Sequence, residues 1–220
     1  MQGIVFKDRH DAGGRLAEKL SNLEGRDDVV VLGLPRGGLP VAYEVARALD
    51  APLDLFLVRK LGVPGQPEFA MGAIAMGGVQ VMNNDVIKML NLRPADIEQV
   101  AAREGEEMER RNRIYRGDRP LPELRNKIVL LVDDGLATGA TMRAAVTGLR
   151  SFQPAKIIVA VPTGAPEVCA RLEVEADQVV CLSTPQPFEA VGAWYRDFSQ
   201  TSDQEVCELL ARDRQRRGEA

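Results

Sequence analysis

The segment 129–142, VLLVDDGLATGATM, contains the residues whose types and spacing point most clearly to chemistry. An apolar run ends in two adjacent acids, Asp133 and Asp134, and a short loop of small residues with two threonines follows. In open α/β sheets, ligands bind outside the carboxyl ends of the strands. A helix that begins there offers unpaired N–H groups and a positive partial charge. The segment therefore predicts a strand, an anion-binding loop and a helix, in that order.

The composition of this loop predicts what the ligand carries. Small residues let a phosphate approach the backbone N–H groups closely, and Thr138 and Thr141 can add hydroxyl donors. Because carboxylates repel phosphate, Asp133 and Asp134 are expected to face vicinal sugar hydroxyls of the same ligand, so a ribose 5-phosphate unit fits. The alternative is an ordinary strand-to-helix turn with a capping threonine and two solvated acids. A Walker A loop is excluded, since no Gly-Lys-Ser/Thr follows the glycines.

Short apolar runs separated by helical segments predict the scaffold that positions this loop. The runs expected to form strands are 29–34, 53–58, 128–132, 157–161 and 179–182, and the helices expected between and around them are 11–23, 41–49, 140–152 and 166–174. Buried strands that alternate with helices indicate an α/β fold with a doubly wound, mostly parallel five-stranded sheet and helices on both faces. A chain of 220 residues is expected to form a single domain, 1–220.

Three segments depart from the alternation. Residues 60–84 are rich in Gly and Pro and then turn apolar around Gly77 and Gly78, which predicts a mobile loop followed by a hairpin. Residues 85–118 predict a charged helical insertion with an apolar stripe, whose other faces are expected to be solvated or, alternatively, to bind a partner. The stripe consists of Ile97, Ala101, Met108 and Tyr115. Residues 183–220 are expected to form a hood and a C-terminal helix, 203–214, that opens with a capping box.

Composition argues against several classes of protein. The formal net charge of −4 gives no electrostatic reason to expect nucleic-acid binding. The three cysteines lack CxxC spacing, and the single histidine, His10, argues against a histidine-rich metal centre and a Ser-His-Asp triad. The N-terminal residues lack a signal-peptide pattern, and every apolar run is too short to cross a membrane. We therefore expect a cytoplasmic protein that binds neither nucleic acid nor membrane.

The string VLLVDDGLATGATM closely resembles the motif that binds 5-phosphoribosyl 1-pyrophosphate (PRPP) in the type I phosphoribosyltransferase family, and its DDGLATG portion is closest to the adenine-type form. The resemblance extends over roughly residues 10–185. It implies the type I fold, Mg²⁺ as cofactor, a homodimer, and transfer of ribose 5-phosphate from PRPP to a nitrogenous base or related amine, as in purine salvage. Ala137 stands where enzymes specific for 6-oxopurines carry Asp, which disfavours hypoxanthine and guanine as acceptors.

The resemblance also assigns roles to individual residues. The residues implied to hold the 5-phosphate are Gly135, Leu136, Ala137, Thr138, Gly139, Ala140 and Thr141, and those implied to form the pyrophosphate loop are Pro35, Arg36, Gly37 and Gly38. In the family a cis peptide opens this second loop, and Pro35–Arg36 is the matching bond. Asp133 and Asp134 are implied to hold the ribose diol, directly or partly through Mg²⁺.

Three further residues are implied to be catalytic. Arg59 and Lys60 match a basic pair that approaches the pyrophosphate, and Glu68 loosely matches a loop carboxylate that transfers a proton to the base. Exposed surface charges are the alternative for each of them.

The acceptor is expected to lie under the hood, where four aromatic side chains could stack on a base. These are Phe188, Trp194, Tyr195 and Phe198, with Trp194 and Tyr195 the preferred pair. Aromatic residues are scarce in this chain, so a role in the core is the alternative. Two other functions also stay open: a non-catalytic protein that senses PRPP, and a hydrolase or phosphorylase-like enzyme that shares the pocket.

Overall fold

The computed structural model describes residues 3–219, except for the side chains of Pro67 and Glu68. The strands of this part of the chain are β1 (Val29–Gly33), β2 (Leu53–Leu55), β3 (Val58–Val63), β4 (Gln66–Ala75), β5 (Val79–Met82), β6 (Ile128–Val132), β7 (Lys156–Thr163) and β8 (Gln178–Ser183). The α-helices are α1 (Arg9–Lys19), α2 (Gly38–Leu49), α3 (Asn84–Met89), α4 (Pro94–Arg116), α5 (Ala140–Arg150), α6 (Pro166–Glu175) and α7 (Asp203–Arg217).

The central sheet has five strands in the order β2-β1-β6-β7-β8, and all of its pairings are parallel. The residues of β1 are all buried, as are nearly all of those of β6 and β7. Strands covered on both faces need apolar side chains on both, which explains the unbroken Val, Ile and Leu runs. Because parallel crossovers are right-handed, α2 and α5 cover opposite faces of the sheet. This confirms the predicted doubly wound α/β fold.

The predicted strand 53–58 is wrong, because its residues are divided between two sheets. β2 ends at Leu55, and the N–H of Phe56 donates to the carbonyl of Gly33 in the central sheet. The carbonyl of Leu57 instead accepts the N–H of Met76 beside the antiparallel sheet β3-β4-β5. Phe56 and Leu57 are both buried, so the apolar run continues across the point where the chain changes sheets.

The segment from residue 60, predicted as a mobile loop, has the secondary structure of a β-ribbon. β3 and β4 pair antiparallel from Val58–Ala75 to Val63–Gln66, with irregular register around Gly62. A turn at Pro64 and Gly65 joins them. The second half of the prediction is confirmed: β4 and β5 form a hairpin, and Gly77 and Gly78 both have positive φ at its turn. Such a conformation favours glycine because it has no Cβ to clash.

The predicted helical insertion is confirmed as α3 and α4, and the apolar stripe of α4 faces the protein. Ala101, Met108 and Tyr115 are buried, and α4 packs against β3, β4 and α7. The charged side of α4 is not wholly solvated, because the Glu104 carboxylate is 12% exposed and pairs with Arg59. The insertion therefore supports the antiparallel sheet from one side.

The C-terminal segment divides into two parts with different positions. Ser202 caps α7 by accepting the N–H of Glu205, and α7 packs against α2, α4 and β2. The Asp213 carboxylate accepts the N–H of Leu53 at 3.0 Å, which fixes α7 to the edge strand. The residues before α7 instead approach the loop after β6, where the Tyr195 hydroxyl donates to the Asp134 carbonyl. Within residues 3–219 no helix is long and apolar enough to cross a membrane.

Helix α5 approaches the antiparallel sheet closely at Gly148, where a Cβ would lie 2.5 Å from the Cβ of Ala75. We expect Gly148→Ala to destabilise the protein by about 1–3 kcal/mol, because the backbones must separate to admit the methyl group. Urea unfolding measures this change. Gly105→Ala in α4 is the control: its new Cβ would have nothing nearer than Ile74 at 3.7 Å, so higher helix propensity should stabilise by up to about 1 kcal/mol. Equal effects at both positions would contradict the close approach.

Candidate functional site

The candidate site lies where β1 and β6 are neighbours at the centre of the sheet. The chain leaves β1 toward β2 on one side and leaves β6 toward β7 on the other. Loops that diverge in this way open a crevice at the carboxyl ends of the strands, which is the usual ligand position in such sheets. The N–H of Leu34 donates to the carbonyl of Val132 at 2.9 Å, so the two loops begin side by side.

The loop after β1 lies directly on the two acids that follow β6. A Cβ on Gly37 would lie 2.1 Å from Oδ2 of Asp134, and a Cβ on Gly38 would lie 2.9 Å from the Cα of Asp133. Any side chain at these two positions would collide with the acids, which explains the glycines. The Pro35–Arg36 peptide bond is cis, as the family resemblance implies. The structure thus brings the predicted pyrophosphate loop and the predicted diol-binding acids together.

Asp134 has a charged partner that the sequence did not reveal. The Arg9 guanidinium donates from Nε at 2.9 Å and reaches with its second nitrogen to 2.8 Å, both to Oδ2 of Asp134. The same guanidinium donates to the carbonyl of Ser199 at 2.7 Å and lies 3.9 Å from the ring centre of Phe198. Arg9 precedes Asp134 by 125 residues, so no local motif could indicate this contact.

The ionised form of Asp133 is less favourable in the folded protein than it would be in water. Oδ1 accepts the N–H of Asp134 at 2.9 Å, and no cation pairs with this carboxylate among the described side chains. Burial, and then the neighbouring Asp134 carboxylate, raise the pKa of Asp133 well above its ordinary value. Burial also raises the pKa of Asp134, although Arg9 opposes that shift. A hydroxyl donor or a cation at Asp133 would relieve the unfavourable charge.

The loop between β6 and α5 has open hydrogen-bond donors. Gly139 caps α5 with φ +71°, and a Cβ there would lie 2.5 Å from Val168. Within residues 3–219, the N–H groups of Ala137, Thr138, Gly139 and Thr141 have no protein acceptor. These N–H groups are therefore available to an anion.

Leu136 differs from its neighbours in this loop. Its side chain is buried, and its N–H donates to the carbonyl of Thr163 at 2.9 Å. The predicted phosphate contact at Leu136 therefore has no free N–H, and Leu136 instead anchors the loop to the end of β7.

The predicted basic pair is divided between two environments. Arg59 donates from Nε to Glu104 of α4 at 3.0 Å, so its charge is already paired within the protein. Lys60 lines a cavity of about 590 Å³ together with Ala140 and Thr141 at the start of α5. Lys60 thus shares a cavity with the predicted phosphate loop, whereas Arg59 is held by the insertion.

Arg36, the cation of the loop after β1, faces two helices from elsewhere in the chain. A guanidinium nitrogen lies 3.8 Å from Oδ1 of Asp203 at the start of α7, and the Tyr115 hydroxyl donates to the same oxygen. Burial and this hydrogen bond raise the pKa of Tyr115 to about 12. Glu68 belongs to the backbone of β4, but its side chain lies outside the described residues, so its predicted role stays a prediction.

The aromatic residues of the hood mainly pack against one another. Tyr195 is 6% exposed, and its hydroxyl donates to the carbonyl of Asp134 at 2.6 Å. A ring so enclosed cannot stack on a base. The predicted acceptor contact of Tyr195 is therefore wrong, and Tyr195 instead holds the loop after β6 in place. Trp194 stacks on Phe188 with centroids 6.4 Å apart and 23° between planes. Trp194 keeps partial exposure and stays a candidate for the acceptor site.

The residues fit a magnesium ion only in a limited way. In the described part of the chain, no cluster of three or more His, Cys, Asp or Glu side chains could enclose a metal. Asp133 offers a carboxylate without a cation, whereas Oδ2 of Asp134 is engaged by Arg9. Mg²⁺ commonly takes one or two carboxylates and completes its shell with substrate phosphates and water. Asp133 is suited to such a shared site.

Comparisons with known proteins agree with this geometry. A family model described as "Phosphoribosyl transferase domain" matches residues 6–195. The Mycobacterium tuberculosis (strain H37Rv) protein named "Putative phosphoribosyl transferase Rv0571c" is 50% identical over 208 residues, which are 94% of this chain and 47% of that protein. This chain therefore spans about half the length of the curated relatives it matches.

Solved structures show the same fold. The crystal structure of TT1426 from Thermus thermophilus has a TM-score of 0.83 and 45% identity, and the match covers 95% of this chain and 99% of that one. The structure of the AQ2163 protein from Aquifex aeolicus, with a TM-score of 0.52 and 14% identity over 92% of this chain and 84% of that one, shares the fold alone. With its family model matched over residues 6–195, the chain belongs to the phosphoribosyl transferase domain family.

Proposed function

We propose that this chain is a phosphoribosyltransferase that moves ribose 5-phosphate from PRPP to a nitrogenous base or related amine and releases pyrophosphate. The observation that carries the proposal is the contact between the two loops, which places open backbone donors, an unpaired carboxylate and a glycine-rich turn around one crevice. These groups match the three chemical parts of PRPP: a phosphate monoester, a diol and a diphosphate.

The donor would lie across the crevice in one orientation. Its 5-phosphate would accept from the N–H groups of residues 137–141 and from the hydroxyls of Thr138 and Thr141. The ribose hydroxyls would donate to Asp133. The diphosphate would face Gly37 and Arg36 on one side and Lys60 on the other, and these cations would favour the negative charge that develops as pyrophosphate leaves.

The reaction would break the bond between the anomeric carbon and pyrophosphate, and the acceptor nitrogen would form the new bond to that carbon. The leaving diphosphate takes the bonding electron pair, so the sugar acquires oxocarbenium character. The carboxylates of the crevice can accommodate this positive charge. The acceptor loses a proton, for which Glu68 is the candidate base. Bound Mg²⁺ would neutralise part of the diphosphate charge. Most of the rate would come from positioning and charge stabilisation.

Two features favour binding without turnover as the second candidate. Arg59 and Asp134, both predicted to be catalytic, are paired within the protein with Glu104 and Arg9. A protein that senses PRPP needs the crevice but does not need free catalytic charges. The acceptor stays open in either case, although the adenine-type loop and Ala137 favour one other than a 6-oxopurine. The homodimer stays a prediction as well.

A product assay separates these functions. PRPP labelled in the ribose is incubated with the protein, MgCl₂ and single members of a panel of purines, pyrimidines and small amines, and pyrophosphate is measured. A transferase releases pyrophosphate only with a suitable acceptor, and the label appears in the product. Saturable binding without release indicates a sensor, and acceptor-independent release indicates a hydrolase. Asp133→Ala should abolish the release in an authentic transferase, which excludes a contaminating enzyme.

Thr141→Val tests the phosphate end of the site. Losing a hydroxyl that donates to a charged phosphate should cost about 1–3 kcal/mol, which corresponds to a five- to about 150-fold rise in the Kd for PRPP. Isothermal titration calorimetry measures this Kd. Ser151→Ala is the control, because Ser151 follows the C-terminal end of the same helix and its hydroxyl already donates to the Gly148 carbonyl at 2.7 Å. Equal weakening by both variants would contradict the phosphate contact.

Asp133→Asn tests the acid pair through stability. Because the pKa of Asp133 is raised in the folded protein, ionisation favours unfolding, and this penalty grows as pH rises from about 4 through the raised pKa. Asp133→Asn should therefore raise Tm at pH 8 more than at pH 4, by roughly 2–4 °C per kcal/mol in a domain of this size. PRPP binding should be lost at the same time.

Asp134→Asn provides the contrast in the same melting experiment. Burial raises the pKa of Asp134 as well, but Arg9 opposes that shift, and the substitution leaves a largely buried guanidinium without its carboxylate. Tm at pH 8 should therefore rise less than in Asp133→Asn, or fall. An equal rise in Tm for both variants would show that Arg9 does not stabilise Asp134.

A further inference from the structure

Arg9 forms an unusually complete set of contacts for a side chain outside the loops of the site. Its guanidinium binds Oδ2 of Asp134 with two nitrogens, donates to the Ser199 carbonyl and lies over the Phe198 ring, 3.9 Å from the ring centre. The side chains of Arg9 and Asp134 are only 10% and 15% exposed. Ion pairs with fixed geometry and little solvent are the ones that hold structure in place, unlike mobile surface pairs.

The pair lies against the backbone of the loop after β1. A Cβ on Gly37 would be 3.3 Å from Nε of Arg9 and 2.1 Å from Oδ2 of Asp134. The Tyr195 hydroxyl holds the Asp134 backbone from another direction by donating to its carbonyl. Four segments of the chain therefore meet around Asp134 and Arg9: the start of α1, the loop after β1, the loop after β6 and residues 195–199.

We propose that Arg9 is a positioning residue for the PRPP site, which fixes Asp134 against Gly37 and thereby sets the spacing between the phosphate loop and the pyrophosphate loop. This inference rests on the proposed function. Because Arg9 takes Oδ2, the carboxylate is left with Oδ1, which has no partner among the described residues, to accept a ribose hydroxyl. Arg9 also offsets one of two adjacent negative charges in a crevice that must admit a strongly anionic donor.

The side chain needs to be arginine for this role. A guanidinium presents several N–H donors in one plane and an apolar face, so it can bind a carboxylate, a carbonyl and a ring together. A lysine ammonium could keep the charge at Asp134 but could not also stack on Phe198 and reach Ser199 in the same plane. Arg9→Lys should therefore restore only part of what Arg9→Met removes.

The test is calorimetric titration of the full chain with PRPP and MgCl₂. We expect Arg9→Met to raise the Kd at least tenfold with unchanged stoichiometry, and Arg9→Lys to give an intermediate Kd. If Arg9 acted only on folding, the folded fraction would bind with the wild-type Kd and only the stoichiometry would fall. If Arg9 acts through Asp134, the Kd of the double variant Arg9→Met/Asp134→Asn should match that of Asp134→Asn alone, because contacting residues are not additive.

Arg15→Met is the matched control on the same helix. Arg15 also pairs with an aspartate, Asp11 at 3.0 Å, and its guanidinium lies 5.7 Å from the Phe6 ring, but its side chain is 47% exposed and its ion pair is with Asp11 rather than Asp134. Its Kd should equal the wild-type value. A wild-type protein that does not bind PRPP would overturn the proposed function itself. Wild-type binding together with an unchanged Kd in Arg9→Met, or with additive losses in the double variant, would overturn only the role of Arg9.

Discussion

The site depends on two adjacent carboxylates that are kept at the carboxyl end of a buried strand. Burial raises the pKa of both acids, and the neighbouring Asp134 carboxylate raises that of Asp133 further, so the protein must compensate for this arrangement elsewhere. Arg9 compensates at Asp134, and nothing equivalent pairs with Asp133 in the described chain. The imbalance leaves Asp134 with one oxygen paired to Arg9 and leaves Asp133 without a cation among the described side chains.

The rest of the architecture follows from keeping these acids beside a second loop. The sheet order places β1 next to β6, so that the loops after them diverge around one crevice. Gly37 and Gly38 allow the loops to touch, and Gly139 allows α5 to begin with its N–H groups exposed beside α6. Lys60, on the antiparallel sheet, lines the cavity beside the start of α5. The glycines keep bulky side chains out of the crevice, and Lys60 adds a cation at that cavity.

Local patterns predicted the fold and the chemical character of the site, and they failed where a partner lay far along the chain. The apolar runs and the loop 133–141 could be predicted from neighbouring residues alone. A strand covered on both faces and the start of a helix each produce a recognisable pattern within about ten residues. The division of residues 53–58 between two sheets has no recognisable sequence pattern, because both sheets need apolar residues at these positions. The pairing of Arg59 with Glu104 and the burial of Tyr195 likewise depend on packing between distant segments.

The sequence by itself determined the parallel α/β core, the loop with open backbone donors and membership of the phosphoribosyl transferase domain family, because each depends on residue types at short and regular spacing. Only the tertiary structure decided which acid is free, which cation is already paired and which aromatic ring is enclosed. Those outcomes depend on distances between side chains such as Arg9 and Asp134 that are 125 residues apart. Such distances are set by how helices and loops pack on the sheet, and no periodicity along the chain records them.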